Sequence, residues 1–139
     1  MRRTILLWSA ALCLAPAVSL AVKEENFIVK NARDLVEICG TAQSDEMYTA
    51  AINFCEGYVV GAYAYHRALY SDKKHKDPVC LPDPPPPRLQ AIASFVTWAK
   101  ANPQYDDERA VEALGKFLTE TWPCPESEPA KAHSKALRR

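Results

Sequence analysis

The chain has 139 residues, with 17 basic and 17 acidic side chains and a formal net charge of zero. That length suits one domain, and the charge balance argues against nucleic acid, whose binders carry a strongly basic face. Beyond the N-terminal leader no run of about 20 apolar residues occurs, so no membrane span is predicted. Residues 1–21 read as a cleavable secretory signal: Arg2 and Arg3 supply the charge, Ile5 to Val18 the apolar stretch, and Ser19-Leu20-Ala21 small residues at −3 and −1 of the cleavage site. Its apolar run is short for an anchor and carries Pro16, and Leu12 stands before Cys13 where lipid attachment calls for a small residue. The expected location is outside the cytosol, in oxidising surroundings. Residues 22–125 are read as the domain, with eleven basic against fifteen acidic side chains. A mildly acidic body suits a partner with a basic surface.

An all-α fold of four helices is expected. Only four glycines are present, no apolar/polar alternation is sustained, and four segments carry helical period. The first is 32–39, with Ala32, Leu35, Val36 and Cys39 on one face, Asn31 as N-cap and Gly40 at the C′ position. Phe27 lies just upstream and packs under it. The second and longest is 45–70, with Ser44 as N-cap. Its stripe is Met47, Ala51, Phe54, Cys55, Tyr58, Ala62, Tyr65 and Leu69, and it is expected to be the spine of the fold. Gly57 and Gly61 lie one turn apart on it. Each costs a helix interior about 1 kcal/mol relative to alanine, so both are expected where another backbone packs close. Residues 71–87 form a stiff connection, with the basic run Lys73, Lys74, His75 and Lys76 followed by Pro84 to Pro87, which favours polyproline II. The third helix is 87–101, with Leu89, Ile92, Ala93, Val96 and Ala99 inward and Phe95 beside them; Asn102-Pro103 stops it. The fourth is 107–121, with Asp106 as N-cap and Ala110, Val111, Leu114, Phe117, Leu118 and Thr121 inward. Residues 126–139 are polar and read as a disordered tail.

Four cysteines follow the leader: Cys39, Cys55, Cys80 and Cys124. An even number in a short exported chain predicts two disulfides, with three possible connectivities. An antiparallel pair of the last two helices brings Cys80 and Cys124 to one end, which leaves Cys39 for Cys55. Cys55 lies about eleven residues into the second predicted helix, roughly 16 Å from its start. That pairing requires an oblique crossing, and the other pairings stay open. No Cys-x-x-Cys occurs to favour zinc, and no metal or other cofactor is expected.

The chain lacks the common metalloprotease, serine-hydrolase and phosphate-loop motifs. His133 lies in the tail and His75 in the basic run. His66 has no acidic residue one turn away and is read as a polar helix residue, at the surface or half-buried, so no catalytic residue is assigned. Partner contacts are sought in Lys73, Lys74 and Lys76, and in Tyr63 and Tyr70, one heptad apart on a flank of the second helix.

Read in order, these pieces resemble the Rap/Tai family of type VI secretion immunity proteins. The likeness runs from Phe27 through Leu35-x-x-x-Cys39, Cys55-Glu56-Gly57-Tyr58-Val59-Val60-Gly61, Cys80-Leu81-Pro82, Gln90 and Asn102-Pro103 to Trp122-Pro123-Cys124. The resemblance implies a small helical periplasmic protein without catalysis, which neutralises a peptidoglycan-cleaving amidase effector by direct binding and in some members forms a homodimer. Two features depart from the pattern. The proline run and the lysine-rich loop are extra, and Tyr63-Ala64-Tyr65 stands where an acidic residue often follows the second glycine. The alternatives are a periplasmic stress chaperone of the HdeA type, a Rap/Tai-like domain with an unrelated partner, and a small exported enzyme. Three histidines supply an acid-driven chaperone switch poorly.

Overall fold

A computed structural model describes residues 22–72 and 75–125. Among these residues the secondary structure is helical, as expected: α1 Ala32–Cys39, α2 Tyr48–Leu69, α3 Arg88–Ala101 and α4 Ala110–Thr121, with short 3-10 helices at Glu24–Ile28 and Pro103–Tyr105. Among the described residues no helix is long and apolar enough to cross a membrane. The leader 1–21, Lys73, Lys74 and the tail 126–139 lie outside the described residues.

The start of α1 shows how the elements are fixed. A helix leaves its first four N–H groups without partners inside it. Here the Ala32 and Arg33 N–H groups donate to the carbonyls of Glu108 and Asp106, at 2.8 and 3.1 Å. Asp34 N–H donates to the Asn31 side chain at 3.1 Å, and Leu35 N–H to the Asn31 carbonyl. Residues 106–109 are therefore held out of helix to cap α1, and the 3-10 turn at Pro103–Tyr105 feeds them into place. This is why α4 begins at Ala110 and not at 107 with Asp106 as cap. The start of α2 is displaced likewise. The Asp45 carboxylate accepts from Met47 N–H at 2.8 Å in a local turn, so Ser44 is not the cap and helix begins at Tyr48.

The core gathers Leu35 and Ile38 of α1, Ala51 and Cys55 of α2, Ile92, Phe95 and Val96 of α3, and Leu114, Phe117 and Leu118 of α4. The short α1 is its hub, packed against all three other helices and the first 3-10 turn. The long α2 is not the spine: it buries only Ala51 and Cys55 completely. At 1.5 Å per residue α1 spans about 12 Å and α2 about 33 Å, so α1 can cover only part of its length. Tyr65 and Leu69 of the expected stripe are 64% and 55% exposed. Leu89, Ala93 and Val111 also face outward, whereas Ile38 and Ala113, left off the predicted faces, are buried.

The glycines reverse their expected roles. Gly57 and Gly61 are exposed, and a Cβ built on either meets nothing within 4 Å. The close approach is at Gly40, where a Cβ would stand 2.9 Å from the Val36 carbonyl oxygen and 3.4 Å from Val96 Cγ1 of α3. Gly40 has φ −96°, not the left-handed conformation expected of a C′ glycine, so space and not torsion selects it.

Candidate interaction surface

The disulfides are Cys39–Cys55 and Cys80–Cys124, with Cα atoms 5.2 and 4.7 Å apart. The late start of α2 brings Cys55 to within about seven residues of its first turn, roughly 10 Å along the axis, within reach of the end of α1. The first bridge is buried and lies in the core. The second is at the surface, beside a single antiparallel bridge between Val79 and Pro123. There Cys80 N–H donates to the Trp122 carbonyl at 2.8 Å and Cys124 N–H to the Pro78 carbonyl at 3.1 Å. With all four thiols in disulfides, zinc ligation is excluded for them.

The connection after α2 is clasped to that helix by one carboxylate. Asp77 accepts from Val79 N–H at 2.9 Å, pairs with His66 Nε2 at 2.9 Å and accepts from the Arg67 guanidinium at 3.1 Å. Burial pushes the Asp77 carboxyl up. The hydrogen bonds from Val79 and His66, with the charges of His66 and Arg67, outweigh that push and hold it below the ordinary carboxylate range. Of the two placements the sequence left open for His66, surface or half-buried, the structure has it half-buried, between Tyr63 and Tyr70. Its ring centroid is 6.2 Å from Tyr63, nearly parallel, and 4.7 Å from Tyr70. The two tyrosines are thus joined in one cluster through His66. Asp77 stands eleven residues beyond His66, so a search one helical turn either side of the histidine misses it. A histidine beside a carboxylate can serve acid–base chemistry, but Cys80, which lines one hollow with Asp77, is locked in a disulfide and is no nucleophile. Lys76 is exposed and its ammonium donates to the Pro125 carbonyl at 2.9 Å.

Tyr63 also faces an apolar groove of about 320 Å³, walled by Val60 of α2, Leu81 and Pro85 of the connection, Arg88 of α3 and Trp122 after α4. Tyr63 of the tyrosine flank thus shares the lining of this groove with Pro85 and Pro86 of the connection. A second hollow lies between α2 and α4 under the exposed Tyr65, Leu69 and Val111. Both hollows exist because the outer half of α2 extends past α1. Trp122, Leu81 and Arg88 were not singled out as contacts from the sequence. Leu81 and Trp122 do stand in the cysteine-flanking motifs, and folding brings those motifs together.

No curated protein and no solved structure matches the chain. A family model described as Rap1a immunity proteins matches residues 31–124. That span takes in all four helices, both disulfides, the Asp77 clasp and the groove. It covers well over half of the sequence, and on that ground the chain belongs to the Rap1a immunity protein family.

Proposed function

We propose that the chain is a periplasmic immunity protein that binds, without catalysis, a peptidoglycan-cleaving amidase effector delivered by type VI secretion. The observation that carries this reading is the family match over the whole disulfide-stapled body. The leader at 1–21, removed on export, and the two disulfides support the compartment. The preformed groove supports stoichiometric protein binding, because a rigid apolar site loses little entropy on docking. Contacts come from residues 71–87, with Lys73, Lys74 and Lys76, and from the Tyr63 and Tyr70 flank.

Each secreted effector candidate encoded beside the gene is expressed in the periplasm with and without this chain. The expected outcome is lysis by one candidate alone, protection on co-expression, and a stoichiometric complex on gel filtration. If no candidate is toxic, or toxicity is unchanged by this chain, the immunity reading fails.

A further inference from the structure

We propose that the groove between α2, the proline segment and α3 receives a partner segment in which a large apolar side chain is followed by a carboxylate. This rests on the reading of the chain as an effector-binding protein and names the chemistry of the segment bound. The groove is apolar, open to solvent and sized for one large side chain, the form of pocket in which an interface anchor sits. Its walls are already fixed. The rings of Pro85 and Pro86 fix their φ angles and stiffen one side, and the Cys80–Cys124 bridge with the Cys80-to-Trp122 hydrogen bond ties the connection to the end of α4.

Charge selects the rest of the occupant. Arg88 is exposed at the rim and is the first residue of α3. A cation there opposes the positive end of the helix dipole. The first turn of α3 holds no acidic residue, its N-cap is Pro87 with no side-chain hydrogen bond, and among the described residues Arg88 forms no ion pair. Ala91 N–H bonds the Pro87 carbonyl, while a helix leaves the N–H groups before it without internal partners. One carboxylate at this corner answers both the guanidinium, which it can meet with two parallel hydrogen bonds, and the helix end. A basic segment is repelled by both.

The test uses the ¹⁵N-labelled mature protein and two synthetic peptides, acetyl-Trp-Asp-Glu-amide and acetyl-Trp-Lys-Lys-amide. The acidic peptide at millimolar concentration is expected to give saturable shifts at Val60, Tyr63, Arg88 and the Trp122 indole. The basic peptide is expected to bind at least about tenfold more weakly. Arg88→Glu, a surface change, should invert that order while leaving the remaining spectrum in place. Equal affinity for both peptides, no saturation with either, or shifts centred on the Tyr65–Leu69–Val111 hollow would overturn the proposal. So would groove resonances that move with protein concentration alone, which would mark a second copy as the occupant. Toxin protection without peptide binding sinks the groove and spares the immunity reading. Peptide binding without protection does the reverse.

Discussion

At the scale of single residues, the glycines separate packing from propensity. Gly40→Ala places a methyl group against the Val36 carbonyl and Val96, and the strain of overpacking, about 1–3 kcal/mol, should lower the melting temperature. Gly57→Ala and Gly61→Ala meet only open space and should each stabilise by about 1 kcal/mol through helix propensity. Thermal melts of the three variants check both signs; destabilisation at Gly61 would mean that a partner's backbone covers it in solution. A glycine letter is the same in either role, and only the approach of α3 to the end of α1 tells them apart. Asp77 belongs at this scale too. Its carboxyl titrates lower in the fold than in the unfolded chain, so its contribution to stability is present above the unfolded value, about 3.9, and is lost as pH falls through the lower folded value. Asp77→Asn should therefore melt below wild type at neutral pH, with the gap closing as pH drops below about 4. A gap independent of pH would show that the clasp does not depend on the charge.

At the scale of elements, helix type and order were legible because burial on one side imposes a 3.6-residue period, and three of the four apolar faces were largely right. Helix starts were less legible. Asp45, Asp106 and Asp107 are all acceptable first-turn residues, yet Asp45 closes a local turn and the 106–109 backbone caps α1. At α4 the competition is settled by two long-range hydrogen bonds that no local pattern encodes, at α2 by a turn within three residues. The α2 stripe read true as far as Ala62 and failed at Tyr65 and Leu69, because periodicity reports an apolar face and not what covers it. The groove was hidden for the same reason: Tyr63, Leu81 and Trp122 are remote in sequence until Cys80 is joined to Cys124. The two bridges should also differ in reactivity. Cys39–Cys55 is sealed in the core and Cys80 is exposed, so mild reduction should open Cys80–Cys124 first. Alkylation of partly reduced protein, mapped by peptide mass, should label Cys80 and Cys124 before Cys39 and Cys55, and unreduced, denatured protein should yield no free thiol.

For the whole molecule, the proposed effector binding divides the work of association between charge and shape. The body carries fifteen acidic against eleven basic side chains, yet Lys73, Lys74 and Lys76 follow one another closely in sequence, and Leu81, Pro85 and Pro86 further along the same segment wall the groove. Field complementarity of this kind governs encounter more than the lifetime of the complex. Replacing the three lysines together by alanine should slow association with the effector by about tenfold at low salt, flatten its salt dependence and leave dissociation nearly unchanged. Tyr63→Phe preserves the groove wall, whereas Tyr63→Ala removes an apolar contact that forms only after encounter, so Tyr63→Ala should leave association intact and speed dissociation by about tenfold or more. Stopped-flow association and biosensor dissociation at two ionic strengths resolve the two effects. If the lysine variant changes only dissociation, the basic run contacts the partner directly and the division between steering connection and anchoring groove is wrong.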